Sequence, residues 1–178
     1  KQKTIFIGDV NIHQKPSSIE LANIAIGVAQ NAKKLGFIPK VAILSYSNFG
    51  NPSGSNTKTI NECLKILEDK KVSFEFDGEM TAEVALDYNL IKENYPFCKL
   101  SGPANVLIMP DLYSANISFK LLQKMENLSV IGPIMIGGNN PFQIVQMGAS
   151  VSDIVNSACI STYNSCLLYT SDAADDVA

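Results

Sequence analysis

Apolar and polar positions repeat along this chain at two periods, and they predict strands and helices in alternation. Thr4–Gly8 is a short β-branched and aromatic run that reads as a strand. Ser17 and Glu20 have capping-box spacing at a helix start, with Leu21, Ile24, Ala25, Val28 and Ala32 following at helical spacing. Gly36 is placed to stop that helix. Val41–Leu44 is a continuous apolar run suited to a buried parallel sheet, and it opens into Ser45-Tyr46-Ser47-Asn48-Phe49-Gly50.

A Gly/Pro/Ser/Asn loop over Asn51–Asn56 precedes a helix from Thr57 to Lys70 with Ile60, Leu64 and Leu67 on one face. Val72–Phe76 predicts the next strand, running into Asp77-Gly78-Glu79. Thr81–Leu86 and Asn89–Asn94 read as helices broken by Pro96. Asn105–Met109 reads as a strand stopped by Pro110-Asp111. Tyr113–Met125 reads as an amphipathic helix with Ile117, Leu121 and Met125 in one stripe. Val130–Ile136 predicts a fifth strand interrupted by Gly132-Pro133, and Ser152 an N-cap for a last helix to about Thr162. Such alternation predicts an α/β fold with a largely parallel sheet, helices on both faces and right-handed crossovers.

Composition narrows the class. With 178 residues, 46% of them apolar and 17% charged, the chain suits one domain around one core. No apolar run approaches the ~20 residues that span a bilayer, and no signal-peptide pattern is evident, so a cytoplasmic location is expected. The first residue is Lys1 rather than Met, which reads as a fragment. A net charge of −3 with scattered basic residues argues against nucleic acid as a partner. All 14 basic residues are Lys. A phosphate site would have to use Lys, backbone N–H groups or helix N-termini, since Arg, the usual bidentate phosphate clamp, is absent. Cys63, Cys98, Cys159 and Cys166 lie far apart, without metal-ligand spacing, and read as free thiols.

Three loops carry candidate chemistry, because ligands in open α/β sheets bind at the strand ends. Ser45, Ser47 and Asn48 sit after a buried strand, where small residues let backbone N–H groups approach a phosphate. That position gives weight to what would otherwise be a plain turn. Asp77 and Glu79 flank a glycine as acid/base groups, as a hold for an amine or ribose, or as a solvated turn. Asp111 stands at a strand-to-helix junction with Asn116 beyond it, and a capping role for Asp111 comes first. His13, the only histidine, reads as a surface residue, with no triad partner identifiable.

Read together and in order, these pieces resemble the phosphate acetyl/butyryl transferase family. The resemblance runs from about Phe6 to Ile160. It takes in Asp9, Pro16, Pro39-Lys40-Val41-Ala42, Leu44–Gly50, Asp77-Gly78-Glu79-Met80, Gly102-Pro103-Ala104-Asn105-Val106, Pro110-Asp111-Leu112, Ala115-Asn116-Ile117, Ile131-Gly132-Pro133 and Asp153-Ile154-Val155-Asn156. The Leu44–Gly50 variant, with Tyr95-Pro96-Phe97 downstream, looks like the phosphotransacetylase-like C-terminal domain of bacterial NADP-dependent malic enzymes.

The resemblance implies a three-layer phosphotransacetylase/isocitrate dehydrogenase-like fold, present here as an incomplete part of two lobes. Residues 1–164 would form that domain. Residues 165–178 match nothing in the family and read as a disordered tail from a cloning or adapter scar. The family moves acetyl between phosphate and the CoA thiol, using a Ser-Arg-Gly run followed five residues after the Gly by Asp. Here Gln146-Met147-Gly148 precedes Asp153. Gly148 and Asp153 match, so Asp153 is a vestigial catalytic candidate. Ser and Arg do not match, and losing one preorganised donor costs about 3 kcal/mol of transition-state stabilisation.

The implied function is therefore an acyl-CoA-binding regulatory and oligomerisation domain of an NADP-dependent malic enzyme, with acetyl-CoA as ligand. Candidate ligand contacts are Ser45, Ser47, Asn48, Asp77, Glu79, Asn105, Asp111, Asn116 and Gly148. NADP and a divalent metal would belong to an N-terminal malic-enzyme part of the same parent chain, which would oxidise malate, and the parent would be a homo-oligomer. A working phosphate acetyltransferase is the alternative, and a purely structural oligomerisation module is a third reading.

Overall fold

The computed structural model describes residues 3–52, 57–126, 128–138, 140 and 142–175. The chain divides into two compact units, Lys1–Leu121 and Leu122–Ala178. In the first, strands β1 (Phe6–Gly8), β2 (Lys40–Leu44), β3 (Glu75–Met80) and β4 (Val106–Ile108) form one sheet in the order β1-β4-β2-β3. All three pairings are parallel, with Val106 opposite both Phe6 and Val41, and Val41 opposite Phe76.

Helices α1 (Ser18–Lys34) and α2 (Thr57–Asp69) cover one face, and α3 (Ala82–Leu86) and α4 (Tyr88–Asn94) the other. The period-2 alternation of a strand explains why the central runs are apolar throughout. Val41, Ile43, Val106 and Ile108 face α1 and α2, with Leu21, Ala25, Ala29, Ile60, Cys63 and Leu67. Ala42, Leu44 and Leu107 face the opposite core, with Met80, Val84, Ile91 and Leu100. Burying each large aliphatic side chain is worth about 1.5–3 kcal/mol. The alanine face of α1 (Ala22, Ala25, Ala29, Ala32) is fully buried against this sheet and α2.

Local signals set the helix ends. Ser17 and Glu20 form the reciprocal capping box at the start of α1. At its other end Gly36, at φ 87°, donates to Lys33 O, and Phe37 N donates to Ala32 O. These two bonds make a Schellman motif that only a left-handed residue completes without strain.

Four elements differ from the sequence reading. β3 starts three residues later than Val72 and runs through Asp77-Gly78-Glu79, so these residues lie in a buried strand rather than a solvated turn. Gly78 makes this possible, because a Cβ there would stand 2.8 Å from Ile43 O. Helix α5 (Leu112–Lys124) buries Ala115 and Phe119, whereas Ile117, Leu121 and Met125 are exposed. Small Ala115 lets the helix approach closely, so the face that packs is not the most apolar one. Asp87, not Pro96, separates α3 from α4, serving as C-cap to one and N-cap to the other.

In the second unit Val130–Ile136 is irregular rather than a strand, with Gly132 at φ 125° and no N–H on Pro133 for a ladder. Helix α6 (Val151–Asp175) is capped by Ser150, not Ser152. Its backbone stays helical past Thr162 to Asp175, while residues 176–178 lie outside those described. Residues 53–56 of the expected Asn51–Asn56 loop also lie outside them.

Candidate functional site

All four strands point their C-terminal ends at one edge, where the β1–α1, β2–α2 and β4–α5 loops meet. A cleft of about 260 Å³ opens there, lined by Lys15, Pro16, Thr59, Ile60, Asp111 and Tyr113, among others. The β2–α2 loop is held from beneath by Glu79, which is 1% exposed. Glu79 Oε1 accepts from the Ser47 hydroxyl, from Gly50 N at 3.2 Å and from Thr57 Oγ1 at 3.3 Å. Glu79 Oε2 is buried and has no hydrogen-bond partner. One carboxylate thus joins β3, the loop and the first turn of α2. A buried oxygen without a partner costs free energy and marks the site as specialised.

Half-buried Ser45 lies 3.1 Å from Ser47 through their hydroxyls. The loop's backbone donors are largely committed. Ser45 N goes to Met80 O, Asn48 N to Asn51 O, Phe49 N to Glu79 O and Gly50 N to Glu79 Oε1. Asn48 Oδ1 accepts from Thr81 N at 2.8 Å. Phe49, at φ 50°, packs against Tyr95 and Phe97 with ring centroids at 5.2 and 4.9 Å. The loop is therefore pinned at both ends and from below.

The structure separates the two carboxylates of the Asp77-Gly78-Glu79 run. Asp77 faces another network, accepting from Gly78 N and from Lys99 N at 2.7 Å. Burial, opposed by a hydrogen bond from the Leu100 backbone and reinforced by the Asp77 carboxylate, pushes the Cys98 thiol up to about 11. Burial alone pushes Cys63 up to about 12. Neither thiol forms a ready nucleophile at neutral pH.

Asn105 lies at the opposite, N-terminal edge, where it clips Lys40 N at 2.8 Å and Ile38 O at 2.9 Å. Beside it, the Ser101 N–H bond draws Glu75 below the usual carboxylate range, and Lys40 adds to this against partial burial. Asp111 lines the cleft and caps α5, accepting from Ser114 N at 2.8 Å. Asn116 donates to Val10 O and Asn11 Oδ1, tying α5 to the β1–α1 loop.

A pair that the sequence reading missed stands in that last loop. Asp9 Oδ2 lies 2.7 Å from His13 Nδ1, and Asp9 also accepts the N–H groups of Asn11, Ile12 and His13. Partial burial pushes Asp9 up, but the N–H of Asn11 and the other three donors together hold it below its usual range. The Asp-x-x-x-His spacing after a strand was the available signal.

Gly148 and Asp153 belong to the second unit. Gly148 turns at φ 83°, and Ala149 N closes the turn on Gln146 O. Asp153 accepts from Ser150 Oγ at 2.8 Å and Ser150 N at 2.9 Å, and its own N–H returns to Ser150 Oγ. These Ser150 bonds hold Asp153 below the usual carboxylate range. Met147 is fully exposed. Among the described residues no group of three His, Cys, Asp or Glu side chains is placed to hold a metal ion, and no helix is long and apolar enough to cross a membrane.

Comparison with known proteins places this edge in a family. Residues 1–162 match the family model described as "Phosphate acetyl/butaryl transferase". The chain is 49% identical over 162 residues to an NADP-dependent malic enzyme of Rhizobium meliloti, covering 91% of this chain and 21% of that protein. It is 39% identical over 154 residues to a phosphate acetyltransferase of Helicobacter pylori, covering 86% of this chain and 30% of that protein. A solved phosphotransacetylase from Staphylococcus aureus superposes with a TM-score of 0.83 at 29% identity, covering 93% of this chain and 52% of that one. The chain therefore spans about a fifth of that malic enzyme and about half of that phosphotransacetylase, and it belongs to the phosphate acetyl/butyryl transferase family.

Proposed function

We propose that this chain is the acyl-CoA-binding regulatory and oligomerisation domain of an NADP-dependent malic enzyme. The carrying observation is Met147, fully exposed at the position where the family resemblance calls for an arginine. A thioether supplies neither charge nor donor to a phosphate. The chain holds no other arginine to substitute. Asp153 is committed to its Ser150 cap and kept ionised, which suits helix capping better than proton delivery.

Binding without turnover remains well served. The strand-end cleft offers the Lys15 cation, the Thr59 and Tyr113 hydroxyls and apolar walls from Pro16 and Ile60. Acetyl-CoA bound there would regulate a distant malate site only if it favoured one assembly state over another. The malic-enzyme part of the parent chain, with its NADP and divalent metal, would carry the oxidation of malate. A phosphate acetyltransferase role is the alternative, supported by the Gly148 and Asp153 matches and the Helicobacter pylori relative.

Calorimetry of the full-length parent protein with acetyl-CoA tests the reading, alongside an assay of acetyl phosphate formation. Binding with no acetyl phosphate formed is expected. Rapid formation of acetyl phosphate would overturn the regulatory reading in favour of the transferase.

A further inference from the structure

We propose that Ser45 acts as a hydrogen-bond acceptor toward the ligand, so that the group it receives is an N–H or O–H donor rather than a phosphate. A pantetheine amide of an acyl-CoA has that chemistry. The inference rests on the acyl-CoA reading above and narrows it to one contact.

The argument is a count of protons. A serine hydroxyl has one proton to give and two lone pairs to offer. Ser47 gives its proton to Glu79 Oε1. Within the Ser45–Ser47 pair, at 3.1 Å, Ser47 can then only accept, so Ser45 is the donor. Ser45 has thereby spent its proton inward and presents lone pairs outward from the end of β2. Its backbone N–H is also spent, on Met80 O.

Phe49 N and Gly50 N are spent on Glu79 as well, and Asn48 N on Asn51. A phosphate needs donors, and these groups of the loop are already committed to the protein. The direction of the chain is set by Glu79, an acceptor at Oε1 for three donors at once. Glu79 and Ser47 are thus positioning residues that act through Ser45.

The full-length parent protein is titrated in a calorimeter with acetyl-CoA and, separately, with inorganic phosphate. Ser45→Ala, at a half-buried position, should weaken acetyl-CoA by about three- to tenfold and leave phosphate unchanged. Ser47→Ala should weaken acetyl-CoA by a similar factor and strengthen phosphate, because it frees the Ser45 proton. A merely structural loss would weaken both ligands together.

If the wild type binds acetyl-CoA and both variants stay within about twofold of it, the inference falls while the acyl-CoA reading stands. If the wild type does not bind acetyl-CoA, that reading falls and phosphate decides the inference. Tighter phosphate in Ser47→Ala, lost again in Ser45→Ala/Ser47→Ala, supports it. Phosphate weakened by Ser45→Ala alone overturns it.

Discussion

Asp9 and His13 close a loop on themselves at the end of β1, with Asp9 Oδ2 2.7 Å from His13 Nδ1 and 2.9 Å from the His13 backbone nitrogen. The carboxylate gathers four donors and orients the imidazole ring. Asn116 and the Leu112 N–H, which donates to Gln14 O, fix the same loop to the start of α5. The two strand ends that wall the cleft are thus joined through this loop.

The Asp9 pair predicts an acid dependence. Asp9 is lowered in the fold from an ordinary value of 3.8. Its stabilisation is therefore fully present above that value and is lost as pH falls through the lower folded value. Glu75 behaves alike from 4.5 downward. Asp9→Asn should flatten part of the acid limb of the stability curve. Asp9→Ala should cost about 1–2 kcal/mol at neutral pH, since its donors are partly open to water. Urea unfolding between pH 3 and 7 checks both, and an unchanged acid limb in Asp9→Asn would remove Asp9 from the account.

Glu79 predicts a larger and asymmetric response. Glu79→Ala leaves the Ser47, Gly50 and Thr57 donors without their shared acceptor and should cost at least about 2 kcal/mol. Glu79→Gln keeps an amide oxygen for those donors and should cost less. Thermal unfolding, with hydrogen exchange at the Gly50 amide, distinguishes the two variants. Equal destabilisation by both would mean that the charge, not the acceptor geometry, holds the loop.

Gly78→Ala tests the path of β3. The added methyl would stand 2.8 Å from Ile43 O and 3.0 Å from Ile43 Cβ, so the strands must shift apart. A loss of about 1–3 kcal/mol is expected, with exchange protection falling first between β2 and β3. Full retention of stability would show that the two strands are not this close.

Much of the first unit was legible because its signals are local. The Ser17/Glu20 box, the Gly36 stop and the apolar runs of β2 and β4 each declare themselves within a few residues. Asp77, Gly78 and Glu79 hid because such residues are poor strand formers, and only the close approach of Ile43 explains a glycine there. The stripe of Ile117, Leu121 and Met125 misled because periodicity shows that a helix has an apolar face, not which partner covers it. The Ser45 loop was legible as a strand-end loop. The commitment of its N–H groups, like the Asp9–His13 pair, became visible only in three dimensions.

Met147 predicts weak acyl transfer. The parent protein should form acetyl phosphate about 10²–10³-fold more slowly than a transferase that keeps the missing Arg or Ser. Gln146→Ser/Met147→Arg should raise that rate if the rest of the pocket survives. A wild-type rate that already matches a phosphate acetyltransferase would show that the lost residues are compensated from elsewhere.

The central claim is tested most directly by malate-dependent NADP reduction in the full-length parent protein, measured with and without acetyl-CoA. The account predicts that reduction occurs and that acetyl-CoA changes its rate, with the change diminished in Ser45→Ala. Absence of NADP reduction, or a rate indifferent to acetyl-CoA at concentrations where calorimetry shows binding, would contradict it.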